Sequence, residues 1–261
     1  MSKEMVKLSK EELKDFLDAK VLQYNTIDFI NPDPISVPHR YSLKEDIEIA
    51  GFLASTIAWG NRTIITKNGH RMMDLLGDSP YDFVMNHNDY QLERLEGFVH
   101  RTFNSVDFMH FIKALKYIYN NKGGLEAIFD SYQTEDSLQP AIYELHKAFF
   151  EIPHLDRTRK HVANPSKGSV SKRINMYLRW MIRDDNKGVD FGIWKTISPS
   201  KLACPLDVHS GNVARKLGLL TRNQNDSKAL NELDFNLRLL DPTDPVKYDF
   251  ALFGLGIFEG F

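Results

Sequence analysis

At 261 residues the chain is long enough to bury a substantial core, in one domain or in two packed lobes. Its hydrophobic share of 42% and charged share of 26% exclude a disordered or collagen-like chain, and a net charge of −2 leaves the question of a nucleic-acid partner to the distribution of charge. No apolar run reaches the roughly 18–20 residues of a membrane span. The opening Met1-Ser2-Lys3-Glu4-Met5 lacks the apolar stretch of a signal peptide, so a cytoplasmic location is expected.

Nearly every periodic stretch places apolar residues three and four apart, which predicts an all-α chain. A helix over 43–58 opens after Ser42, a residue suited to the N-cap, and carries Ile47, Ile49, Phe52, Leu53 and Ile57 on so many sides that burial is expected. Trp59-Gly60-Asn61-Arg62 ends it, and a second helix runs to about position 76, stopping at Gly77-Asp78-Ser79-Pro80. Amphipathic helices follow over 107–120, 124–132 and 137–150. A loop over 154–168, poor in apolar residues, leads to a helix over 169–183 with a core stripe of Val170, Ile174, Tyr177, Leu178 and Met181. Its opposite face holds Lys172, Asn175, Arg179 and Arg183. The last helices lie over 208–219, 226–240 and 246–258, the final one entered through Asp241-Pro242-Thr243-Asp244-Pro245. With no repeat and no low-complexity linker, the organisation is one unit. It can divide into a middle lobe over 60–165 and a second lobe of 1–59 with 166–261, flanking a cleft.

Charge is concentrated between Arg157 and Arg183, where Arg157, Arg159, Lys160, Lys167, Lys172, Arg173, Arg179 and Arg183 occur without a single Asp or Glu. Such a one-signed stretch is the footprint that a phosphate backbone selects, or else a solvated basic face. Lys172 stands near a helix start among other cations, conditions that favour the neutral, nucleophilic amine over the ammonium form. Asp207 follows Pro205-Leu206 just ahead of a helical run, the place of a helix cap, and an ionised cap can also stabilise positive charge developing on a substrate. His209 two residues on suggests a metal pair, but no third or fourth ligand stands at a recognisable spacing, so no metal is expected and His209 is read as packing or touching phosphate. Gly211 allows close approach of another backbone, and Arg215 and Lys216 add candidate phosphate contacts. The single cysteine, Cys204, rules out an internal disulfide and a cysteine-built cluster.

The segment Cys204-Pro205-Leu206-Asp207-Val208-His209-Ser210-Gly211-Asn212-Val213-Ala214-Arg215-Lys216-Leu217-Gly218 resembles the Pro-x-Asp-x-His segment of the helix-hairpin-helix DNA glycosylase superfamily, which includes endonuclease III and the 8-oxoguanine glycosylases. The family's essential aspartate falls on Asp207. Its Gly-Val-Gly-x-Lys hairpin, which opens the helix bearing the lyase lysine, falls on Gly168-Ser169-Val170-Ser171-Lys172, so Lys172 matches the Schiff-base lysine. Phe250-Ala251-Leu252-Phe253-Gly254-Leu255-Gly256 looks like the late Ala-Leu-x-x-Leu-Gly helix, and the Lys172 to Asp207 interval looks closer to the archaeal 8-oxoguanine branch. The whole chain also looks like an uncharacterised bacterial family on this fold. Two features differ: Val170 stands where the second hairpin glycine would, and the C-terminal cysteines of an iron–sulfur cluster are missing.

The resemblance implies a DNA glycosylase and abasic-site lyase of base excision repair. It would act without a cofactor on double-stranded DNA with a damaged base, an oxidised purine being the guess from the branch. Lys172 and Asp207 would be catalytic. Lys167, Gly168, Ser169, Ser171, Arg173, Arg179, His209 and Arg215 would meet the nucleic acid, with Asn61 and Arg62 filling the hole left by the flipped base. Trp59, Trp180 and Trp194 are candidates to stack on that base. The alternatives are a non-catalytic nucleic-acid-binding module on the same fold and a helical interaction protein with no nucleic-acid role.

Overall fold

A computed structural model describes residues 8–261. Among these the helices are α1 (Lys10–Tyr24), α2 (Lys44–Thr56), α3 (Arg62–Leu76), α4 (Pro80–Asn86), α5 (Asp89–Glu93), α6 (Ser105–Lys122), α7 (Leu125–Tyr132), α8 (Gln139–Phe149), α9 (Lys172–Ile182), α10 (Val208–Lys216), α11 (Ser227–Leu240) and α12 (Tyr248–Phe258). A two-stranded antiparallel hairpin, β1 (Val99–His100) and β2 (Phe103–Asn104), pairs Val99 with Asn104 and His100 with Phe103. The protein is all-α in class. No described helix is long and apolar enough to cross a membrane.

Local chemistry sets most helix starts. Ser9 and Glu12 bond each other's backbone N–H at the head of α1, Asn104 and Asp107 do the same for α6, and Asp226 accepts two N–H groups at the head of α11. Two starts differ from expectation. Leu43, not Ser42, occupies the cap position of α2 and offers no side-chain bond. The helix expected from 169 begins at Lys172, because Ser171 turns the chain through the left-handed region at φ +50°.

Every residue of α2 from Asp46 to Thr56 is buried, as its all-round apolar pattern requires. Phe52 on this helix meets Phe111, Phe149 and Tyr177, with ring centroids 5.6–6.0 Å away, so α2, α6, α8 and α9 share one core. Each fully buried large side chain there contributes roughly 1.5–3 kcal/mol. A second apolar cluster gathers Leu17 and Val21 of α1, Val213 of α10, Leu230, Leu233 and Leu237 of α11, and Leu252 and Leu255 of α12. Helix α12 touches both clusters, sending Phe250 into the larger and Tyr248, Ala251 and Leu255 into the smaller. The larger cluster draws on Phe29 to Leu202 with Val246 and Phe250, and the smaller on α1 and the chain from Ala203; α2 and α9 pack with the middle helices.

Candidate active site

The turn ahead of α9 places Gly168 at φ +79° and Ser171 at φ +50°, so the chain reverses and Lys172 becomes the first residue of the helix. The Lys172 Nζ lies 3.4 Å from Asp207 Oδ2, with the two side chains 31% and 23% exposed. A lysine from the larger cluster and an aspartate from the smaller thus meet at a spot that solvent reaches. Asp207 divides its labour between its two oxygens. Oδ1 accepts the Ser210 N–H at 3.0 Å and the Ser210 hydroxyl at 3.2 Å, closing the N-terminus of α10, which leaves Oδ2 for Lys172.

Behind Asp207 a second layer fixes its backbone. Asn225 Nδ2 donates to the Asp207 carbonyl at 2.8 Å, and Arg215 holds Asn225 from the other side while donating to the Arg222 carbonyl at 2.8 Å. Arg215 is therefore a brace for α10 rather than a phosphate contact. Gly211 leaves room for this clamp: a Cβ there would stand 2.8 Å from Asn225 Oδ1.

The pair lies in a cleft of about 820 Å³, within the usual range for a ligand pocket. Of the residues singled out in the sequence, Trp59, Arg62, Ser169, Ser171, Arg173 and His209 also line it. Trp59 is half-buried, with the Arg173 guanidinium 4.8 Å from its ring centre and the His161 ring stacked 6.1 Å away. Arg173 donates to the carbonyls of Thr56 and His161, and burial pushes its guanidinium down to about 10. It stiffens the cleft wall and the Trp59 ring, with its donors turned to backbone carbonyls. Arg62 is likewise committed: it pairs with Asp33 at 2.7 Å between the rings of Phe29 and Phe253. Asn61 caps α3 by accepting the Ile64 N–H and does not line the cleft.

Several expectations are corrected by burial. Trp180 and Trp194 are 0% and 1% exposed, inside the larger core, where Trp194 Nε1 donates to Glu48 at 2.7 Å; neither can stack on a ligand. Arg179 is 3% exposed and bonds Asp190 at 3.2 Å and Asp249, while Arg183 bonds Asp190, Asp185 and Asp244. The polar face of α9 below Lys172 thus docks onto internal carboxylates, because guanidiniums packed inside a core require ionised partners. Lys167 and Gly168 are exposed and lie outside the cleft lining.

Asp249, like Asp33, is a residue that sequence reasoning missed. At the inner end of the cleft it shares a narrow recess with Asp33, Lys172, Arg179 and Asp207. Burial pushes its carboxyl up to about 6, opposed by the Arg179 guanidinium and assisted by the Asp207 charge. Its signal was present: it is the one charged residue between Tyr248 and Phe258, in a helix otherwise made of apolar residues and glycine.

Residues 33–258 match a family profile described as protein of unknown function (DUF2400). The chain belongs to this family. The DUF2400 span takes in Asp33, Lys172, Asp207 and Asp249, so the whole recess lies within the family's own boundaries. No curated protein matches the chain, and no solved structure does.

Proposed function

We propose that this DUF2400 chain is a DNA glycosylase and abasic-site lyase built on the helix-hairpin-helix glycosylase plan, acting on double-stranded DNA that carries a damaged base, an oxidised purine in the first instance. The observation that carries the reading is an amine and a carboxylate 3.4 Å apart, both reachable by solvent, in a cleft wide enough for an extruded nucleoside. The resemblance around Gly168–Lys172 and Asp207 supports it. Trp59 is the ring left to stack against the extruded base, since it alone of the three tryptophans lines the cleft.

The chemistry follows from the two groups. Lys172 gives up a proton, for which Asp207 Oδ2 is the acceptor in reach, and the neutral amine attacks the sugar C1′. The glycosidic bond breaks, and its electron pair leaves with the base, which takes up a proton. The proton passed to Asp207 goes on to the departing base, and the carboxylate so restored offsets positive charge left at the sugar. The C1′–nitrogen adduct opens to an imine, loss of a C2′ proton expels the 3′ phosphate, and water then releases the amine.

Borohydride reduces such an imine to a stable covalent adduct. Incubation with oligonucleotide duplexes bearing single lesions or an abasic site is expected to trap a protein–DNA adduct, and Lys172→Ala is expected to abolish it. A panel without any adduct, or an adduct that persists in Lys172→Ala, overturns the lyase. DNA binding without product, unaffected by Asp207→Asn, would instead mark a binding module on the same fold.

A further inference from the structure

The acid-free run from Arg157 to Arg183 separates in space. Arg157 bonds Asn104 at 2.8 Å and sits 3.2 Å from Asp107, while Arg173, Arg179 and Arg183 are spent inside the fold. Arg159, Lys160, Lys167 and Lys172 remain at the surface. Among the described residues neither Lys160 nor Lys167 has an ion pair or a side-chain hydrogen bond, and both are exposed.

These cations do not scatter. A groove of about 740 Å³ runs between α8 and the segment 159–169, lined by Lys147 from the helix and by Arg159, Lys160 and Lys167 from the segment. Arg159 lies over the Phe150 ring, 5.1 Å from its centre, and Lys147 is held by Glu144 at 2.9 Å. The groove's single carboxylate, Glu151, is already occupied by Lys122 and Tyr117. Arg159 pairs with Asp156 at 3.5 Å, so the cations of the groove left open to a polyanion are Lys160 and Lys167. Lys160, Ala163 and Ser169 line this groove and the Lys172–Asp207 cleft alike, so the two are continuous.

We infer that the groove between α8 and the 159–169 segment carries the phosphodiester backbone of DNA whose reacting nucleotide occupies the cleft, with Lys160 at the junction and Lys167 further out. The inference rests on the reading of the cleft as a DNA site, but its charge argument does not need the lyase chemistry. A backbone fits better than a compact anion, because the groove is continuous with the cleft, Lys160 lining both and Lys167 the groove alone. It fits better than base readout, because Tyr143, an aromatic of the lining, sits under the Lys147 ammonium, 5.5 Å from its ring centre.

The test is equilibrium binding to a fluorescent duplex containing a tetrahydrofuran abasic analogue, which has no C1′ leaving group and forms no imine. Affinity is followed by anisotropy from 50 to 200 mM KCl. Each phosphate contact adds about 0.9 to the slope of log affinity against log salt, so Lys160→Gln with Lys167→Gln is expected to reduce the slope by about 1.8. Lys160→Arg with Lys167→Arg should restore it. The exposed pair Lys113→Gln with Lys228→Gln, on α6 and α11, should leave it unchanged. An unaltered slope in the first variant, or an equal loss in the α6/α11 control, overturns the groove. A borohydride-trapped adduct accompanied by an unaltered slope removes the groove and leaves the lyase. The expected slope change without any adduct keeps the groove and removes the lyase.

Discussion

Asp207 serves stability with one oxygen and faces Lys172 with the other, and substitutions separate these duties. Asparagine caps a helix about as well as aspartate, so Asp207→Asn should change stability by less than about 0.5 kcal/mol. Alanine removes the cap, and Asp207→Ala should cost about 1 kcal/mol, a fall of roughly 2–4 °C in melting temperature. Both variants lose the charge beside the amine, and both should slow adduct formation by roughly 100-fold or more. Calorimetry beside single-turnover trapping checks the pair; an Asp207→Asn protein with full activity would show that only the cap matters. Lys172 and Asp207 were legible in the sequence because each announces itself locally, one opening an amphipathic stretch and the other preceding one. Asp249 and Asp33 were not, since they reach the recess from segments far away along the chain. Nor could the sequence separate Trp59 from Trp180 and Trp194, because what covers an indole is decided by helices elsewhere.

At the scale of the helix, α9 is anchored by charge as much as by its apolar stripe. Of the expected stripe Ile174, Tyr177, Leu178 and Met181 are buried on the helix, while Val170 precedes it and lies half-buried in the cleft wall. The helical period gave the basic face but not its partners. Asp190 and Asp249 lie 11 and 70 positions beyond Arg179, and a cation destined for a buried carboxylate reads in sequence like one destined for phosphate. The true start at Lys172 was hidden for a related reason: a serine in the left-handed region leaves no signal comparable to a glycine. The polar α1 was missed because its fifteen residues bury only Leu17 and Val21, and the short α4, α5 and hairpin because a few residues show no measurable period. Arg179→Met should destabilise the protein by about 3–5 kcal/mol, since it strands Asp249 without its cation and leaves Asp190 to Arg183 alone. Adding Asp249→Asn to that variant should recover part of the loss. Urea melts at neutral pH measure both, and a loss below about 1 kcal/mol for Arg179→Met would mean that the ion network contributes little to holding α9.

For the whole molecule, the candidate site is a junction. Lys172 comes from a helix of the larger core, Asp207 from the lead into a helix of the smaller one, and Asp249 from α12, which belongs to both. The strand-like segment before Asp207 is tied to the smaller core by Asp234 of α11, which accepts the Cys204 N–H at 2.8 Å. Burial pushes the Asp234 carboxyl from its ordinary 3.8 up to about 7, with Arg238 opposing. Between those values the folded protein holds a proton that the unfolded chain releases. The stability contributed is therefore full below about pH 4 and is lost as the pH rises through 7. His161 acts with the opposite sign: burial, strengthened by nearby cations and opposed by Asp107, pushes its imidazole from 6.5 down to about 4, so its contribution is full above pH 6.5 and is lost as the pH falls toward 4. His100, His110 and His146 are lowered by burial in the same direction. The two sets offset each other across the mildly acidic range, and removing one exposes the other. Asp234→Asn keeps an oxygen for the Cys204 N–H while abolishing the titration. Its melting temperature relative to the unsubstituted protein should rise from pH 5 to about pH 7, by roughly 4–8 °C, and level off above it. The variant alone should also lose stability more steeply below pH 6.5, where the histidine contribution is opposed by Asp249 but no longer by Asp234. Melting curves at matched ionic strength across pH 5–8 decide it, and a difference that stays constant with pH would mean that Asp234 does not carry the proton.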